Sequence, residues 1–251
     1  MIHWVLIRGL GRQQGHWRIF PELLKNQIGG KIHFIDLPGF GQNTHLKAPL
    51  SIAECSNFLH SSLEKIKNDP DYIAGPCVLI AVSLGGMVAM DWVNRYPNDF
   101  QHFITINTSA GNLSPLFDRL RPEGFKTLLH LFLRGGNVRY REESILKLTT
   151  SLSEISDPLI HEWVEIDHRH PLTRGAFLRQ LFAAATFKIP DNLPIHPLIL
   201  CSAKDRLVHP NCSIKLAEAL KQPVAIHPTA GHDLPLDDPS WIIQQIKSAN
   251  W

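Results

Sequence analysis

The chain lacks the features that would set it apart from an ordinary globular protein. No stretch offers the roughly 18 consecutive apolar residues of a membrane helix, so no spanning segment is expected. The amino terminus, MIHWVLIRGLG, has no basic segment followed by a long apolar run and a small-residue cleavage site. The expectation is therefore no signal peptide and a cytoplasmic location. Cysteine is scarce: Cys55, Cys77, Cys201 and Cys212 show no Cys-x-x-Cys spacing and read as buried free thiols of a reducing compartment. Charge of one sign is scarce too. With 25 Lys and Arg against 23 Asp and Glu, the net charge is +2, which gives nucleic acid no reason to bind. The fourteen histidines are scattered without His-x-x-x-His or His-Glu-x-x-His spacing, so no metal site is expected, and nothing calls for an organic cofactor.

What is present is 251 residues, 44% of them hydrophobic, enough for one large domain or a domain with an insertion. Short, nearly continuous apolar runs lie at 2–7, 31–36, 77–81, 103–106, 198–201 and 224–226. Such runs fit strands buried on both faces of a parallel sheet. Helical patterns separate them. Ser51-Ile52-Ala53-Glu54 reads as a capping box ahead of Cys55, Phe58, Leu59, Leu63 and Ile66. Alternation of this kind predicts an α/β sheet with right-handed crossovers. It stops between 112 and 190, where only helical patterns occur, among them Leu128, Leu129 and Phe132, then Phe177, Leu178, Leu181 and Phe182. The expectation is a core formed by 1–111 and 191–251, with a helical lid at 112–190.

The motif richest in chemistry is Ala81-Val82-Ser83-Leu84-Gly85-Gly86, directly between a strand and a helix. A nucleophile elbow needs this context. The turn is so tight that its flanks must be small, and the serine hydroxyl is left exposed with the next amide pointing into the site. Alanine stands at the first position, where glycine is usual, and keeps the small size. A serine needs a base, and the base needs a carboxylate. His232 follows the last strand, and Asp205 follows the strand before it. The order Ser, Asp, His is that of α/β-hydrolases. His209 as base, and Asp233, Asp237 or Asp238 as acid, are weaker alternatives. Asn107 ends the strand before the insertion, where some relatives carry the acid, but an amide cannot serve. For an oxyanion hole, Leu84 should supply one amide and Leu10, in Arg8-Gly9-Leu10-Gly11, the other.

These residues resemble the α/β-hydrolase superfamily, and within it the small capped carboxylesterases, among which are the pimeloyl-carrier-protein methyl ester esterases of biotin synthesis. Asp36-Leu37-Pro38-Gly39-Phe40-Gly41 matches the family's Asp-Leu-Pro-Gly-x-Gly loop. Arg8-Gly9-Leu10-Gly11 with Trp17 matches its His-Gly-x-Gly segment and following tryptophan, with Arg8 in place of the histidine. The resemblance implies an α/β-hydrolase fold: a mostly parallel central sheet flanked by helices, with a lid. It also implies hydrolysis of a carboxylic ester through Ser83, Asp205 and His232, with the Leu10 and Leu84 amides on the oxyanion. Trp17, Phe132 and Phe182 are the expected substrate contacts. The expected partner is a small-molecule or acyl-carrier-borne ester. Arg119, Arg121, Arg139 and Arg141 are candidates to meet an acidic carrier or a substrate carboxylate.

Overall fold

The computed structural model describes residues 1–134 and 137–249, with no account of the Arg134 side chain. Six strands form one sheet: β1 (His3–Ile7), β2 (Lys31–Phe34), β3 (Cys77–Val82), β4 (His102–Ile106), β5 (Pro197–Ser202) and β6 (Val224–His227). Their order is β2-β1-β3-β4-β5-β6, and every pairing is parallel. β1, β3 and most of β4 are buried on both faces, which is why their sequences run apolar without alternation. The sheet was expected to be mostly parallel; among the described strands it is wholly so.

Helices cover both faces. α1 (Phe20–Gln27) and, near the carboxyl terminus, α10 (Leu234–Asp237) and α11 (Pro239–Ser248) belong to one layer. α2 (Ile52–Lys67), α3 (Leu84–Arg95) and α9 (Asn211–Leu220) belong to the other. Ser51 caps α2 as the sequence implies, its side chain accepting from the Glu54 amide at 3.2 Å. The four cysteines are free and buried, and burial pushes the Cys55 and Cys201 thiols up to about 12.

Among the described residues, five helices come between β4 and β5: α4 (Leu116–Arg119), α5 (Pro122–Arg134), α6 (Val138–Thr149), α7 (Asp157–Arg169) and α8 (Arg174–Thr186). No strand occurs among the described residues of this segment. It carries a small core of its own, made of Leu146, Leu159, Ile160 and Trp163. Among the described residues, no helix is long and apolar enough to cross a membrane.

The strand order reverses between β1 and β3. Ligands of open α/β sheets bind at such a switch point, outside the carboxyl ends of the strands. Here that point lies between the loop after β1 and the turn after β3, which carry Leu10 and Ser83.

Candidate active site

Ser83 joins β3 to α3 with φ 57° and ψ −120°, a conformation that a non-glycine residue adopts only when its surroundings enforce it. They do. The Ser83 amide donates to Ile106 O at 2.7 Å, and its carbonyl accepts from the Thr108 hydroxyl at 2.8 Å. The neighbouring backbone is packed to contact. A Cβ on Gly85 would lie 2.7 Å from Arg8 O, and one on Gly9 would lie 2.9 Å from the Ser83 Cβ. Glycine at both places is what lets the loop after β1 press against the elbow. Leu84 is the first residue of α3, so its amide has no intrahelical acceptor and stays free for a ligand.

His232 and Asp205 lie on the loops after β6 and β5. His232 Nδ1 is 2.6 Å from Asp205 Oδ2, and both residues are buried. The other carboxylate oxygen accepts from the Leu207 and Val208 amides, each at 2.8 Å, which fixes its plane. The histidine loop is anchored by Asn107, whose side-chain amide donates to His232 O at 2.8 Å and whose carbonyl oxygen accepts from the Ser202 amide at 2.8 Å. Asn107 itself has φ 51°. The residue dismissed as an acid is thus a brace, tying the ends of β4 and β5 to the loop of His232.

The alternative acids are committed elsewhere. Asp233 pairs with Arg8 at 2.7 Å. Asp237 accepts from the amides of Ser151, Leu152, Ser153 and Gly231. Asp238 caps α11 and faces His227. His209 accepts from the Asn211 amide at 3.1 Å.

Ser83 and His232 line one cavity of about 60 Å³ together with Leu10, Arg8, Arg12 and Asp233. Its apolar walls come largely from the inserted helices and their connections: Leu128 of α5, Ile145 and Leu148 of α6, Leu172, and Phe177 of α8. A second cavity, of about 240 Å³, lies among the inserted helices and shares Leu128, Ile145, Leu172 and Phe177 with the first. These four side chains are the partition between the two spaces.

Of the residues expected to contact substrate, only Phe132 reaches a cavity, and it lines the second one alone. Trp17 is 1% exposed and sits in the core, stacked on Phe20 beneath the Arg8 guanidinium. Phe182 is 54% exposed and lines neither cavity. The reason lies in Gln180. It is buried because its side-chain oxygen accepts from the Gly11 amide at 2.9 Å, which turns the Ala176, Gln180 and Ala183 face of α8 inward. Phe177, on the flank of that face, reaches the cavity, and Phe182 is left outside. Apolar spacing alone cannot reveal this, since the polar residue marks the buried side.

The four arginines each have partners within the chain. Arg119 donates to the Ala184 and Ala185 carbonyls, and Arg121 to Asp205 O. Arg139 pairs with Asp157, and Arg141 with Glu142 and Asp167. Arg119, Arg121 and Arg141 are struts within the protein, and Arg139 forms an exposed surface pair.

The loop after β1 is bound to the inserted helices by a buried polar network. Arg12 reaches Glu142 at 2.6 Å and His16 Nε2 at 3.1 Å, and lies 4.3 Å from the Trp163 ring centre. Burial, then the nearby Arg12 and Arg8, hold the His16 imidazole well below its usual pKa, so it stays neutral and accepts from Arg12. Behind the same loop, Asp36 accepts from the Gln14 amide at 2.7 Å and the Gln42 amide at 3.0 Å, which is the work of the Asp-Leu-Pro-Gly motif. Elsewhere, the donor atoms of His60, Glu64 and Asp99 lie within 4.8 Å of one another, but Lys67 Nζ already lies 3.2 Å from both carboxylates.

Residues 4–245 match the sequence model of the alpha/beta hydrolase family. The chain belongs to this family. One curated relative is the biotin biosynthesis bifunctional protein BioHC of Teredinibacter turnerae, 33% identical over 115 residues. That match covers 45% of this chain and only 17% of the relative. Among solved structures, a meta-cleavage product hydrolase from Pseudomonas fluorescens (CumD) is similar with a TM-score of 0.75 and 15% identity, over 100% of this chain and 92% of that one. A non-heme bromoperoxidase-like protein, BpoC of Mycobacterium tuberculosis, is similar with a TM-score of 0.72 and 19% identity, over 98% and 91%. At these identities the likeness establishes the α/β-hydrolase fold and leaves the substrate open.

Proposed function

We propose that this member of the alpha/beta hydrolase family is a serine hydrolase that cleaves a carboxylic ester through an acyl-enzyme. The observation that carries the reading is the pairing of His232 with Asp205 at 2.6 Å on a cavity that also holds Ser83 at its strained turn. With Nδ1 engaged by Asp205, the imidazole has Nε2 free as general base. Ser83 Oγ attacks the ester carbonyl as His232 takes its proton. The Leu84 and Leu10 amides receive the oxyanion, helped by the amino end of α3. His232 then protonates the leaving alcohol, and later activates water to release the acid. The triad needs no metal, so activity should survive a chelator.

The segment 112–190 acts as a lid in this reading. Its Leu128, Ile145, Leu172 and Phe177 give the acyl group an apolar wall with further space behind it. Arg119, Arg121 and Arg141 are engaged within the protein, while Arg139 stays on the surface beside Asp157, so a small-molecule ester and a carrier-borne one both fit this reading.

The test is hydrolysis of p-nitrophenyl esters of rising acyl length by the wild type and by Ser83→Ala, with fluorophosphonate labelling in parallel. Ser83→Ala should retain the fold and lose turnover by about a million-fold, as when a triad serine is removed elsewhere. Turnover by that variant near the wild-type rate would end the reading. A wild type that binds esters but neither turns them over nor reacts with the probe would make the protein a ligand-binding relative.

A further inference from the structure

Arg8 immediately precedes the oxyanion loop, and Asp233 immediately follows the proposed base. β1 and β6, which lead to these two loops, are not neighbours: β3, β4 and β5 lie between them. The sheet joins them only through those three intervening strands, so close spacing of the oxyanion amides and His232 is trimmed by contacts between the two loops. The Arg8 Nη2 to Asp233 Oδ2 contact, at 2.7 Å, spans that gap directly. Both side chains are 4% exposed, and both line the cavity of Ser83.

We propose that the Arg8–Asp233 pair is a positioning latch, holding the oxyanion loop in register with the His232 loop. The pair is poorly built for stability. Arg8 Nε and Nη1 and Asp233 Oδ1 are buried without a partner. Two charges removed from water and only partly satisfied contribute little net stabilisation, and an apolar pair of the same volume would serve as well. What the pair supplies is direction. The guanidinium rests 5.0 Å from the ring centre of the buried Trp17, which limits where its fork can point. The Asp233 amide donates to Thr149 O at 2.8 Å, and Asn107 holds His232 O, so the histidine loop closes onto the latch from a fixed base. Loss of the latch lets two loops that must meet the same substrate carbonyl drift apart.

This inference rests on the hydrolase reading, and its test uses the full chain with Arg8→Met, Asp233→Asn and the double variant. Each single change should lower kcat on p-nitrophenyl acetate on the order of ten- to a hundredfold, the scale of a small misplacement of catalytic groups. KM should change by less than about threefold, since the loss is of transition-state stabilisation. The double variant should lose less than the product of the two single losses, as coupled neighbours do. Asp233→Asn keeps volume and one hydrogen bond, so it reports even where Arg8→Met fails to fold.

A readout that a merely structural role would not move is the reaction of Ser83 itself, set against folding. Both single variants should label more slowly with a fluorophosphonate, in step with the fall in kcat, while KM and the melting temperature stay close to wild type. Ser83→Ala tests the hydrolase reading apart from this: if it keeps turnover, that reading fails whatever the latch variants do. A kcat within about twofold of wild type in both single variants, or a loss of kcat with an unchanged labelling rate, would overturn the latch.

Discussion

The sheet end and the inserted helices hold their residues in opposite ways. At the sheet end, backbone does most of the work. Ser83 is fixed through Ile106 O, and Asp205 through two amides. In the insertion, long charged side chains do it: Arg12 to Glu142, Arg141 to Asp167 and Arg18 to Glu162. The insertion also leaves Phe117 67% and Leu133 70% exposed, while the elbow is packed so closely that a methyl group cannot be added at Gly85. Groups that carry chemistry must be placed within a fraction of an ångström, and backbone amides locked in a sheet provide that. A surface that selects an acyl chain tolerates looser construction, because apolar contact is non-directional.

The change expected to break the sheet-end arrangement most deeply, short of removing Ser83, is Asp205→Asn. The amide still fits between the Leu207 and Val208 donors but no longer stabilises the imidazolium. Turnover should fall on the order of a thousand- to ten-thousandfold with the fold retained. Steady-state kinetics alongside thermal unfolding checks this. A loss of tenfold or less would mean that another group completes the site.

The same contrast is sharpened in the insertion by comparing two phenylalanines of α8. Phe177 forms part of the partition between the cavities, and Phe182 faces outward. Phe177→Ala should open the partition and shift kcat/KM toward longer acyl chains, with discrimination changing by about 1–3 kcal/mol. Phe182→Ala should leave the acyl profile unchanged and stability within about 0.5 kcal/mol. A chain-length series on both variants decides, and a response at Phe182 alone would reverse the assignment of faces.

The contrast also explains what could be read from the sequence. The central strands were legible because a strand buried on both faces leaves an unbroken apolar run, and the partly exposed edge strands β2 and β6 because shorter apolar runs end at turn residues. Ser83, Asp205 and His232, the proposed triad, stood out as a set because each follows such a run, in a telling order. The insertion was legible as helical but not by face. Apolar residues surround α8, and its buried side is marked by Gln180, whose partner Gly11 lies far away in the chain. Trp17 matched a family tryptophan and was expected at the substrate, but it packs under Arg8, a residue that the family pattern does not have there. Asn107 was recognised only by what it cannot do. Its role as brace depends on His232 O and the Ser202 amide, contacts that no local pattern announces.

The smallest expected effect compares the two regions through their histidines. His16 belongs to the network between the loop after β1 and the insertion, and stacks edge-on against Trp163 at 4.7 Å. His33 lies on edge strand β2, against His3 at 2.9 Å. Burial lowers the His33 pKa to about 4, helped by the neighbouring His3 and Lys31. Burial and then Arg12 and Arg8 lower that of His16. In both cases the unfolded chain, with histidine near its ordinary value of about 6.5, binds the proton more readily than the folded one. Stability is therefore full above that value and declines as pH falls below it, until each folded group also protonates. For the fully buried His16 the slope should approach, at most, about 1.4 kcal/mol per pH unit. Denaturant unfolding between pH 7 and pH 4, on wild type, His16→Gln and His33→Gln, resolves the two shares. Each variant should show a shallower decline than the wild type. If His16→Gln flattens the curve more than His33→Gln, acid reaches the fold first through the joint between sheet and insertion. Equal flattening would place the two regions on the same footing, and a wild-type curve without slope would remove both histidines from the account.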